Sequence, residues 1–254
     1  MRLFFPLSLV CSLSATLGCV GEVPKPRYCA DHKPTSAGSC SDFDDNTFQG
    51  WMNSGMSVGS SITIGTDAYS SPKALKLSST TKGVIGTSAS ISRQFLSITT
   101  PGSVQIRARL KIDPTCTSAT VPVHVLSLMM VDTAKPLNTV AASLETTAVV
   151  AGIVQQWSGN ARWVAVAKPI PTGQWILLSM DMVFNGAVVT TSAAVDGTQV
   201  SSGVDTLAMP ASGSAVVVIG QSSKVPSGGG ANPNDSFDGP CSILVDDVFV
   251  DKGP

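Results

Sequence analysis

The sequence has few of the residues on which most enzymes and nucleic-acid binders rely. Only 13% of its 254 residues are charged, about half the share of an ordinary soluble domain. Glutamate occurs twice, at Glu22 and Glu145, and histidine twice, at His32 and His124. No run of Lys and Arg is present, and the formal net charge is −1. Binding a phosphate backbone needs clustered cations, so a nucleic-acid partner has no electrostatic support. Zinc lacks a ligand set, because there is no CxxC pair and the two histidines are not placed to complete one. No glycine-rich loop leads into a helix, which leaves nucleotide binding unsupported. Residues that favour helices are largely replaced by Ser, Thr, Gly, Val and Ala. No stretch carries an amphipathic helix of three turns.

What is present suits β-structure. Hydrophobic residues make up 43% of the chain, enough to bury a core. Between Val104 and Ile112 every even position is apolar and every odd one polar or charged. That alternation places one face on a core and the other in water. The strand expected here is Ser103–Ile112, and similar segments are expected at Ser61–Thr66, Ala74–Ser79, Ala89–Phe95, Val121–Val131, Val140–Glu145 and Ala148–Trp157. Others are Arg162–Ala167, Trp175–Phe184, Ala187–Val195, Ala215–Gly220 and Ser242–Val250. Asn185-Gly186 and Asp196-Gly197 are hairpin turns, because both central residues tolerate positive φ. A third turn is expected around Asn160. The fold class is therefore all-β, an antiparallel two-sheet sandwich over residues 40–254.

Residues 1–18 read as a signal peptide. Arg2 supplies the positive start, and an apolar stretch too short and polar to span a bilayer follows. It ends in Thr16-Leu17-Gly18-Cys19, which resembles a bacterial lipobox. The resemblance implies cleavage before Cys19, lipidation of its thiol, and contact with the membrane only through that anchor. Residues 19–39, with Pro24, Pro26 and Pro34, read as a flexible spacer. The chain is thus expected in the cell envelope, or secreted, where disulfides persist. Cys29, Cys40, Cys116 and Cys241 then remain, and four cysteines allow three pairings. The nearness of the first two favours Cys29–Cys40 with Cys116–Cys241.

Three stretches together resemble concanavalin A-like lectin and glucanase jelly rolls. They are the acidic opening Ser41-Asp42-Phe43-Asp44-Asp45 leading to Gly50-Trp51, the turn Asp67–Ser71 running into Ala74-Leu75-Lys76-Leu77, and the closing Val245-Asp246-Asp247-Val248. Gly173-Gln174-Trp175 and Val195-Asp196-Gly197 are similar to a laminin G-like hairpin. The resemblance implies that Asp44 and Asp246 share a structural calcium with carbonyls of residues 67–71. It also implies that Trp51 and Trp175 pack in the core. Glucanases resembling this fold carry an E-x-D-x-x-E strand, because retaining hydrolysis needs two facing carboxyl groups. That motif is absent. The expectation is thus a protein that is not an enzyme, with His124 an ordinary strand histidine.

Sugar rings pack on aromatic faces beside hydrogen-bonding groups. Trp157 and Trp163 flank the turn expected at Asn160, which would set the two rings opposite each other. Gln155, Asn160 and Arg162 complete this expected ligand patch. The functional expectation is a lectin-like envelope lipoprotein that binds a glycan or another surface component. The alternatives are a structural or protein-interaction module, and an unrecognised glycoside hydrolase or lyase.

Overall fold

Strands form where apolar residues recur at every second position and turn residues interrupt them. The computed structural model describes residues 28–35, 38–56, 58–70, 72–79, 88–99, 101–117, 122–132, 139–157, 160–166, 168–185, 188–206, 212–222 and 240–253. The signal peptide and Cys19 lie outside them. One short helix, α1 (Tyr28–Asp31), precedes β1 (Ser39–Ser41), β2 (Met52–Met56), β3 (Ser60–Gly65) and β4 (Ala74–Ser79). There follow β5 (Ser88–Thr99), β6 (Gly102–Ile112), β7 (Val123–Asp132), β8 (Thr139–Thr146), β9 (Ala151–Trp157) and β10 (Asn160–Val166). The series ends with β11 (Trp175–Asn185), β12 (Val188–Val195), β13 (Thr198–Thr206), β14 (Ser212–Ser222) and β15 (Cys241–Gly253).

These strands make two antiparallel sheets. The eight-stranded sheet runs β13-β12-β11-β6-β15-β4-β3, with β1 also paired to β15, and the seven-stranded sheet runs β10-β9-β8-β7-β14-β5-β2. This is the two-layer sandwich expected from the alternation. Burial on β6 alternates strictly, with Val104, Ile106, Ala108, Leu110 and Ile112 inside. They share the core with Ile176, Leu178, Met180, Met182 and Phe184 of β11. Leu126, Leu128 and Met130 of β7, and Val217 and Ile219 of β14, close it from the other sheet. Asp196 and Gly197 take φ of 47° and 78° between β12 and β13, the conformation that made Asp-Gly a hairpin signal.

Both expected disulfides form, Cys29–Cys40 and Cys116–Cys241, which fits an oxidising compartment. No helix among the described residues is long and apolar enough to cross a membrane. Part of the segment expected as a spacer is tied to the sandwich: the Cys29–Cys40 bridge fastens α1 to β1, and the Thr35 hydroxyl donates to Asp251 on β15 at 2.5 Å.

β15 changes partner along its length. Cys241–Val245 pair with β4, while Val248–Val250 pair with β1. Between the two stretches, a bulge at Asp246/Phe249 adds one residue against β6. Asp247 there takes φ of 48°, a backbone region uncommon for a residue with a side chain. The bulge re-aims Asp246 and Asp247.

Candidate functional site

The outer face of the seven-stranded sheet holds a groove of about 350 Å³. Its floor comes from strand positions that point away from the core. These include Ser54, Ser90, Ser92, Ser127, Ser143 and Gln156, with Gly55, Ala141 and Gly220 keeping it low. Gly220 has φ of +142°, and a Cβ there would lie 2.3 Å from the Ala89 carbonyl oxygen. Hydroxyl pairs run across the floor, Ser127 donating to Ser143 at 2.9 Å and Ser54 meeting Ser90 at 3.0 Å.

His124 also lines the groove. Its ring lies 2.7 Å from the Glu145 carboxylate, Nε2 to Oε1, and both side chains are largely buried. The register explains the pair, because His124 of β7 faces Glu145 of β8 across the ladder. Bulges at His124/Leu126 on β7 and at Ile219/Ser222 on β14 flank the histidine. Such irregularities curve a sheet and re-aim side chains near sites. A carboxylate accepts only, so Nε2 is the donor, and in the neutral ring Nδ1 holds the lone pair. Sequence reading treated His124 and Glu145 separately, as a bland strand histidine and a lone carboxylate. The recoverable signal was that each stands on one arm of a single hairpin.

Most of the expected ligand patch falls on residues whose side chains lie outside the described ones, and only its backbone register is on view. Trp157 pairs with Asn160 across the β9–β10 ladder, and Trp163 pairs with Val154. A turn centred on Asn160 would have set Trp163 opposite Trp157, so the register differs from the expected one by three residues. An odd change of register reverses the face that each position presents, so Trp157 and Trp163 occupy positions of opposite parity. The side chains of Trp157, Asn160, Arg162 and Trp163 lie outside the described residues. Gln155 points inward, 3% exposed, and donates to the Thr191 hydroxyl across the core at 2.6 Å.

The two aspartates expected to share calcium, Asp44 and Asp246, have hydrogen-bonded surroundings of their own. Among the described residues, no group of three or more His, Cys, Asp or Glu is placed to hold a metal. Asp246 is fully buried, but its carboxylate accepts backbone N–H bonds from Tyr69, Ser70 and Asp247. Tyr69 and Ser70 therefore offer Asp246 donors, whereas a calcium ion would take oxygen ligands. The Asp44 amide donates to Asp42. Burial, and next to it the charge of Asp247, push the Asp246 carboxyl up to about 7 against the pull of those three amides. Asp247 is raised too, by burial first, while the Ser70 hydroxyl and Arg109 hold it back. Of the two tryptophans expected in the core, Trp51 is there, its indole donating to Ser41. Trp175 instead faces a pocket on the outer side of β11.

No protein-family model matches the chain, and no curated protein matches its sequence. Solved structures do. An endo-beta-1,4-glucuronan lyase from the fungus Trichoderma reesei aligns with TM-score 0.59 at 8% identity, over 84% of this chain and 94% of that one. The fold is the jelly roll of such proteins. A PL-14 alginate lyase from Aplysia kurodai aligns with TM-score 0.55 at 12% identity, over 76% and 87%. An alginate lyase in complex with an alginate tetrasaccharide gives TM-score 0.58 at 8% identity, over 85% and 96%. The expectation that the chain is not an enzyme is overturned, because structures sharing its fold are lyases. The physical error is specific. Counting paired carboxylates tests for hydrolysis by two acids, whereas elimination needs one proton-transfer group.

Proposed function

We propose that this protein is a carbohydrate-active lyase that binds an acidic polysaccharide along the groove of the seven-stranded sheet and cleaves it by β-elimination at His124. The observation that carries the reading is the His124–Glu145 pair, whose histidine lines that groove. Support comes from the fold shared with lyases named for glucuronan and alginate. A uronate has an acidic C5 hydrogen beside its carboxyl group. His124 takes that proton on Nδ1, the electron pair forms the C4–C5 double bond, and the C4–O4 bond breaks. The same imidazole returns the proton to the departing O4. Glu145 holds the ring and balances the imidazolium that forms between these steps. Gln156 and the serine hydroxyls offer neutral donors to the uronate carboxylate, whose negative charge grows as the proton leaves. Hydrolysis by paired acids fits less well, because Glu145 is the one carboxylate at this pair.

The test is ultraviolet detection of the unsaturated product on glucuronan, alginate and pectate. Wild-type protein yields it on at least one substrate. His124→Ala lowers kcat at least about a hundredfold, the usual worth of one acid–base group. Glu145→Gln lowers kcat less and shifts the pH profile. No unsaturated product from any of the three polysaccharides refutes the reading. The lipid anchor at Cys19 is likewise a proposal. Intact mass of the membrane-extracted protein should include the lipid, and Cys19→Ser should release the protein into the medium.

A further inference from the structure

The opposite side of the sandwich carries a second concavity that the groove chemistry does not use. It encloses about 530 Å³, within the range of small-ligand pockets. Tyr28 and His32 of the N-terminal segment form one wall, stacked at 4.0 Å between ring centroids. Tyr69 and Trp175 form another, edge to face at 6.1 Å. The Cys29–Cys40 bridge fixes the first wall against β1, so the aromatic faces are held before any ligand arrives.

Asp247 lies at the base of this pocket and is 1% exposed. Its Oδ1 is bonded to the Ser70 hydroxyl, while its Oδ2 is buried without a hydrogen-bond partner. A buried carboxylate oxygen left in this state is costly. Beside it, the Arg109 guanidinium lies 4.2 Å over the Tyr69 ring, and Arg109 Nε is also buried without a partner. The charges of Arg109 and Asp247 interact. An unsatisfied acceptor at the base of the pocket and an unsatisfied donor on the side chain that covers the Tyr69 ring thus lie within electrostatic reach of each other.

We propose that this pocket is a binding site for a neutral pyranose sugar, seated on the Tyr28 and Trp175 rings with a hydroxyl between Asp247 and Arg109. A hydroxyl both donates and accepts, so it satisfies the two orphaned atoms together. An ammonium group would satisfy the carboxylate alone and would sit against the Arg109 charge. A uronate would meet Asp247 at the base and Asp31 in the lining. The ligand class therefore differs from the acidic chain proposed for the groove, and neither site depends on the other.

The test is a titration of the full mature chain, followed by tryptophan fluorescence and saturation-transfer NMR. The probes are the methyl glycosides of glucose, galactose, mannose and N-acetylglucosamine, with tetramethylammonium and glucuronate as contrasts. At least one neutral glycoside binds with a Kd of roughly 1 mM or tighter. Trp175→Ala and Asp247→Asn each weaken it at least about tenfold, as loss of a stacking face or a charged hydrogen bond should. Tyr28→Ala, on the helix outside both sheets, does the same without touching the core. His124→Ala leaves it unchanged. The proposal is overturned if none of the four glycosides binds, if either contrast probe binds more tightly than all of them, or if binding survives both Tyr28→Ala and Trp175→Ala.

Discussion

Asp246 makes the stability of this protein depend on pH in the direction opposite to ordinary acid denaturation. Its carboxyl is fully buried and protonates at about 7 in the fold, against 3.8 for the ordinary side chain. Between those two values the native state holds a proton that the unfolded state has released. Stability from this group is therefore fully present below about pH 4 and is lost as pH rises through about 7. At about 1.36 kcal/mol for each tenfold in proton affinity, the rise corresponds to roughly 4 kcal/mol as an upper limit. Asp247, raised as well by burial, adds to the same slope. The assay is urea unfolding between pH 5 and pH 8. The wild-type free energy should fall across that interval by an amount on the order of 2–4 kcal/mol. Asp246→Asn should lower stability at pH 5, because an amide cannot accept all three backbone bonds, and it should remove most of the slope. A wild-type protein more stable at pH 8 than at pH 5, or an Asp246→Asn variant with the wild-type slope, would refute the reasoning.

Replacing both Cys116 and Cys241 by serine should cost about 4–5 kcal/mol, since the bridge spans 125 residues of sequence; thermal melting with and without reductant checks it. Gln155→Leu alone should destabilise by about 1 kcal/mol, because it leaves the Thr191 hydroxyl unpaired in the core. The double variant with Thr191→Val should recover that loss, since Gln155 Oε1 has no partner to begin with; chemical unfolding of all three variants measures the coupling. EDTA should leave the melting temperature unchanged, given the N–H donors that surround Asp246; a drop reversed by added calcium would restore the metal reading.

The legible part of the fold was the part written by alternation. β4 matches its expected range, and β6 and β11 extend theirs by one residue at one end, because a half-buried strand must repeat every second residue. β2, Met-Asn-Ser-Gly-Met, and β13, Thr-Gln-Val-Ser-Ser-Gly-Val-Asp-Thr, were not legible. They are edge strands whose ladders with β5 and β12 define them, and edges need little apolar patterning. The site was legible only in fragments. A register three residues from the expected one separated Trp157 from Trp163. His124 and Glu145 became a pair only through the β7–β8 register. The amides that Tyr69 and Ser70 donate to Asp246 were not legible, because sequence cannot tell whether a neighbouring turn presents amides or carbonyls.

The last strand occupies the middle of its sheet. β15 comes from residues Cys241–Gly253, yet it lies between β6 and the β4–β3 pair. Without it the larger layer falls into two ribbons, β13-β12-β11-β6 and β4-β3, and β1 loses the strand it pairs with. One segment therefore holds three pieces of a sheet together, and cutting residues 241–253 away should cost the fold more than removing an edge strand such as β13 or β3.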